Sequence, residues 1–155
     1  MKKIFLGITL LAAVGFTTVS CNNDDDNNNV SYVELNTLPT AAVDFVNAYF
    51  PGMEIFNIEK YSPAKANNVM YEVNFKNGTE IEFDSAGNWV KVEAEGNGTI
   101  PTSFILPAIV NYVSTNYANQ GINQIERLPN GFEVELTNNI DLIFDTNGQF
   151  VRVKP

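Results

Sequence analysis

The chain has no histidine and one cysteine, and only nine of its 155 residues are lysine or arginine, against eighteen aspartates and glutamates. Each shortage removes a class of function. Without histidine there is no Ser-His-Asp or Cys-His relay and no imidazole-ligated metal. A lone thiol cannot close an internal disulfide. No glycine-rich phosphate loop is present. With so few cations, the phosphate contacts on which nucleic-acid binding depends are not available. A two-carboxylate glycosidase survives this inventory only formally, because it needs a deep cleft. The sequence is therefore expected to be non-catalytic, with no cofactor, no metal and no nucleic-acid partner.

What is present begins at the N-terminus. Lys2 and Lys3 precede an apolar run, Ile4 to Phe16, followed by small and hydroxyl residues to Ser20. This is the layout of a secretory signal, here residues 1–20. The run is too short to span a bilayer as a mature helix. Thr18-Val19-Ser20-Cys21 resembles a bacterial lipobox, which implies lipidation of Cys21 and membrane attachment through that lipid alone. Residues 21–34 read as a tether. Asn22 to Asn29 holds no apolar residue to offset the entropy of ordering. Asp24-Asp25-Asp26 after the cysteine resembles the surface-export signal of Bacteroidetes lipoproteins. The implied location is the outer membrane, at the cell surface or else its periplasmic face. Without residues 1–20, seven basic residues oppose eighteen acidic ones, so partners sensitive to charge should be basic or neutral.

The remainder repeats itself. YEVNFKNGTEIEFDSAGNWVKV, from Tyr71 to Val92, aligns without a gap to FEVELTNNIDLIFDTNGQFVRV, from Phe132 to Val153. Ile58-Glu59-Lys60 matches Ile125-Glu126-Arg127, and Leu38-Pro39 matches Leu106-Pro107. Two units follow, residues 35–96 and 97–155. Each should open with an amphipathic helix. Ala42, Val43, Phe45, Val46, Tyr49 and Phe50 form one stripe, and Ile109, Val110, Val113 and Tyr117 the other. Thr37 or Thr40 and Pro39, then Ser103 or Pro107, mark the starts. Alternating strands follow. The fold class expected is α+β, two tandem repeats, each a helix packed on a four-stranded antiparallel meander.

The alternation assigns faces. Tyr71, Val73, Phe75, Ile81, Phe83, Val90 and Val92 should meet the helix, as should Phe132, Val134, Leu136, Leu142, Phe144, Val151 and Val153. The outward face should carry Glu72, Glu80, Glu82, Trp89, Lys91, Glu133, Glu135, Asp141, Ile143, Phe150 and Arg152. Trp89 and Phe150 occupy equivalent places, as partner anchors or as part of a seam between units. Asp84 to Asn88 and Asp145 to Gln149 have a calcium-loop look but too few oxygen ligands in series, so they read as hairpins with glycine at the positive-φ position. Asp84-Ser85-Ala86 also resembles a short O-glycosylation signal.

The repeated Leu-Pro helix start, I-E-K/R strand, (Y/F)-E-V strand and I/L-x-F-D-x-x-G-x-(W/F)-V-K/R-V hairpin resemble the PepSY-like tandem lipoproteins, which share a fold with β-lactamase-inhibitor proteins. The resemblance covers about residues 35–155. It implies a protein or peptide partner gripped, in inhibitor fashion, on an exposed sheet face formed here by Tyr61, Glu72, Glu82, Trp89, Lys91, Glu133, Glu135, Ile143, Phe150 and Arg152. The alternatives are small-ligand or glycan binding in a seam pocket lined by Tyr61, Trp89 and Phe150, and a purely structural envelope component.

Overall fold

The computed structural model describes residues 29–155. Cys21 and Asp24-Asp25-Asp26 lie outside the described residues, as does the leader. Among the described residues no helix is long and apolar enough to cross a membrane.

Nine strands form one antiparallel sheet, each beside the next in chain order. They are β1 (Asn29–Tyr32), β2 (Ile55–Ser62), β3 (Val69–Phe75), β4 (Glu80–Asp84), β5 (Trp89–Glu93), β6 (Ile122–Leu128), β7 (Gly131–Leu136), β8 (Asp141–Phe144) and β9 (Phe150–Val153). Helix α1 (Thr40–Tyr49) precedes β2, and α2 (Pro107–Asn116) precedes β6. Pro107 opens α2, where its missing N–H costs nothing. Neither helix has a side-chain cap; Thr37 Oγ1 instead donates to Glu34 O at 2.7 Å.

This corrects the expected fold class. The chain is not two repeats that each pack a helix on a separate four-stranded meander. β5 and β6 pair across the expected boundary, Lys91 opposite Glu126, Val92 opposite Ile125 and Glu93 opposite Gln124. Joining them removes two sheet edges whose N–H and C=O groups would otherwise be unpaired. A single core results. Ala42 and Val46 of α1 and Ile109 and Val113 of α2 belong to one buried cluster with Val73, Ile81, Phe83, Val92, Ile125, Val134, Leu142 and Phe144. At roughly 2 kcal/mol per fully buried large apolar side chain, this cluster is the main stabilising term. The expected tether also needs correction, since its residues 29–32 form edge strand β1 against β2.

The second correction concerns faces. Register shifts between Glu82 and Phe83 and between Ile143 and Phe144 place Trp89 opposite Phe83 and Phe150 opposite Phe144. Each shift is a β-bulge, and an extra residue turns the strand end to the other face. Trp89 and Phe150 therefore lie on the helix side. The inserted residues are Val90 and Val151. Val90 sits beside Asn67, Asn68, Asp84, Arg127 and Pro129 instead of under α1, and Val151 is 55% exposed. Val153, also expected to be covered, is 47% exposed on edge strand β9.

Candidate functional site

The helices cover one face of the sheet; the other is open. Its make-up follows from the strand register, because residues that pair across a ladder share a face. One row runs Glu59, Glu72, Glu82, Lys91, Glu126, Glu133, Ile143, Arg152. The neighbouring row runs Asn57, Asn74, Glu80, Glu93, Gln124, Glu135, Asp141. Of the expected binding face, Glu72, Glu82, Lys91, Glu133, Glu135, Ile143 and Arg152 thus stand together on the open side. Tyr61 joins them, its hydroxyl donating to Glu59 at 2.7 Å and Glu72 at 3.1 Å. Trp89 and Phe150 do not.

Those two aromatics are core. Trp89 is 7% exposed, packed edge-on to Phe104 and near Phe45 of α1, with the Arg127 guanidinium 3.9 Å from its ring centroid. Phe150 stacks on Tyr112 of α2 at 4.4 Å. Tyr61 stands on the open side and Trp89 and Phe150 on the helix side, so among the described residues the three do not come together as the expected seam pocket requires.

A loop missed in the sequence reading shapes the open face. Between β2 and β3, Lys65 bridges Glu72 and Glu82, the latter at 2.8 Å, and lies 4.6 Å from the Tyr61 ring centroid. Asn67 Nδ2 donates to Glu126 at 2.7 Å. The corresponding connection from β6 to β7 holds only Pro129 and Asn130, so the loop belongs to the first half alone. Beneath it a cavity of about 700 Å³ is lined by Tyr61, Lys65, Asn67, Glu82, Lys91 and Glu126. The length mismatch between the aligned halves was the available signal.

The electrostatics are uneven. Burial works against the Glu72 carboxylate, but hydrogen bonds and charge from Lys65, with Asn74 and Tyr61, hold it below its ordinary range. Burial likewise opposes the Lys65 ammonium, yet Glu72 and Glu82 raise it well above the usual lysine value. Where burial and like charge outweigh the pull of Lys91, carboxyls move up. Burial raises Glu80, with Glu72 and Glu93 adding repulsion. Burial and then Glu133 raise Glu126, and burial followed by Asp141 and Glu93 raises Glu135. Nearby positive charge would relieve the repulsion among these carboxylates. Among the described residues no group of three or more acidic or cysteine side chains is placed to hold a metal ion.

The two hairpins are built as expected. Asp84 Oδ1 accepts from Ala86 N and Asn88 N, both at 2.9 Å, and Gly87 takes φ +86°. Asp145 Oδ1 accepts from Asn147 N and Gln149 N at 2.9 Å, with Gly148 at φ +77°. In each hairpin Oδ1 is thus taken by local N–H donors.

The fold is thus an open nine-stranded antiparallel sheet with two helices on one face and mostly acidic side chains on the other. The family model "Putative beta-lactamase-inhibitor-like, PepSY-like" matches residues 69–152, and the chain belongs to this family. A "putative calcium-regulated periplasmic protein" of Bacteroides thetaiotaomicron is similar at 28% identity and TM-score 0.73, over 81% of this chain and 97% of that one. A "putative periplasmic protein of unknown function" of Bacteroides vulgatus is similar at 29% identity and TM-score 0.72, over 83% and 99%. Another from Bacteroides vulgatus reaches TM-score 0.74 at 27% identity, over 84% and 100%. No functionally curated protein matches the chain.

Proposed function

We propose that the chain is a non-catalytic envelope protein that holds a basic protein or peptide segment on its open sheet face, in the manner of an inhibitor gripping its target. The observation that carries this reading is the charge of the face. Glu59, Glu72, Glu80, Glu82, Glu93, Glu126, Glu133, Glu135 and Asp141 stand against Lys65, Lys91, Arg152 and Lys154, a formal surplus of five acids. Lys65 supports it from within the molecule, as an ammonium held between two carboxylates above a tyrosine ring. An incoming lysine or arginine would make the same contacts with the unfilled acids. The periplasmic descriptions of the similar Bacteroides proteins favour the envelope. Within it, lipid on Cys21 would anchor the chain to the outer membrane, and Asp24-Asp25-Asp26 would direct it to the surface.

The test uses residues 22–155 and a labelled decalysine peptide, read by fluorescence anisotropy at low salt. Glu126→Gln with Glu135→Gln should weaken binding about tenfold, because two carboxylates without an ion-pair partner among the described residues are lost. Asp44→Asn with Glu34→Gln removes equal charge from elsewhere and should change binding less than about twofold. Equal losses from both pairs would reduce the face to an effect of net charge and contradict the reading.

A further inference from the structure

We infer that the two outer edges of the sheet are complementary, so that β9 of one copy adds to β2 of another, and that β1 is the strand that keeps them apart. The inference comes from the internal repeat. The seam inside the molecule joins β5 to β6, with Lys91 opposite Glu126 and Val92 opposite Ile125. By the repeat, Lys91 and Val92 correspond to Arg152 and Val153 of β9, while Glu126 and Ile125 correspond to Glu59 and Ile58 of β2. Copying the seam between molecules therefore sets Arg152 against Glu59 and Val153 against Ile58. Charge and apolar character match at both positions.

Burial agrees. Val92 is fully buried and Val90 is 8% exposed in the seam, whereas their counterparts Val153 and Val151 are about half exposed on the free edge. Pairing to β2 would cover Val153 as the seam covers Val92, and would cover Val151 from the β2 side as Arg127 of β6 covers Val90. In the single molecule β1 fills that place, with Tyr32 opposite Glu59 and Val33 N donating to Ile58 O at 3.0 Å. β1 is short, and all four of its side chains are exposed. It adds ladder hydrogen bonds and little apolar burial, so it holds its place through being on the same chain, at an effective concentration on the order of millimolar. When β1 leaves, an edge that repeats head to tail gives an open chain of copies in place of a closed dimer.

The experiment uses residues 22–155, which contain every described element. Val30→Pro with Ser31→Pro removes the N–H donors of β1 in either ladder phase. Sedimentation velocity over about a hundredfold concentration range should show the parent chain as a monomer and the proline variant as a growing series of oligomers. Adding Arg152→Glu should return it to monomer, and Glu59→Arg on top of that should restore assembly. A proline variant that is folded by circular dichroism yet monomeric throughout overturns the inference, as does assembly that ignores Arg152→Glu. Should the prolines unfold the chain, Glu59→Cys with Arg152→Cys in the otherwise intact protein takes over. Oxidation should give a ladder of disulfide-linked copies through transient fraying of β1, and a chain that stays unlinked overturns the inference.

Discussion

Trp89 shows how one inserted residue changes a side chain's task. Read by strict alternation it belongs with Lys91 on the outward face. The bulge opposite Phe83 turns it under α1, where it meets Phe45, Phe104 and the Arg127 guanidinium. Trp89→Ala should then cost about 3–5 kcal/mol of stability, as a core aromatic does. Chemical denaturation measures this, and a loss under about 1 kcal/mol would return Trp89 to the surface. Asn123 was equally hidden. It is 4% exposed, and its Nδ2 donates to Ala94 O at 3.1 Å and to Gly96 O and Gly98 O at 2.9 Å, tying the segment after β5 to β6. Its counterpart in the first half is Phe56, 70% exposed, so the repeat offered no hint. Asn123→Ala should cost about 1–3 kcal/mol by leaving the buried Ala94 carbonyl without this donor and freeing the Gly96–Gly98 turn, as chemical denaturation would measure.

At the scale of elements, helices and strands were legible because their hydrophobic periods are local. Val73 and Val134, or Phe83 and Phe144, sit at matching places in aligned segments and are fully buried. The Pro107 helix start and the Asp–Gly hairpins were likewise written in short stretches. The bulges were not, since Asn88-Trp89-Val90 reads as ordinary alternation and only the cross-strand partner reveals the extra residue. β1 was not legible either. Its Asn-rich approach carries the composition of a linker, and its ladder bonds to β2 leave no mark on its own side chains. The β5–β6 seam joins residues more than thirty positions apart, with an apolar and charge pattern no different from that of a free edge. Of the candidate site, Glu72, Glu80, Glu82, Glu133, Glu135 and Asp141 followed from alternation away from the bulges, while Glu59, Glu93, Glu126 and the Lys65 loop needed the strand pairing to place.

For the whole molecule, the crowding of carboxyls sets the response to pH. Glu80, Glu126 and Glu135 titrate above their ordinary value in the folded chain, so they oppose folding when ionised, and that penalty is relieved as pH falls through their raised values. Glu72 and Asp84 titrate below theirs, so their stabilisation is present above the ordinary carboxylate range and is lost as pH falls through the lowered values. The melting temperature should therefore rise modestly on acidification from neutral toward about pH 5 and fall below about pH 4. Glu126→Gln with Glu135→Gln should flatten the rise. A steady loss of stability from neutral pH downward would contradict this assignment.

The central claim is that recognition lies on the open sheet face and not on the helices. Amide chemical-shift mapping by NMR, with decalysine titrated into residues 22–155, tests it residue by residue. The account predicts the largest shifts along β3 to β8, centred on Glu80, Glu93, Glu126 and Glu135, with α1 and α2 nearly still. Shifts concentrated on the helices or their connections, with those strands unmoved, would contradict it.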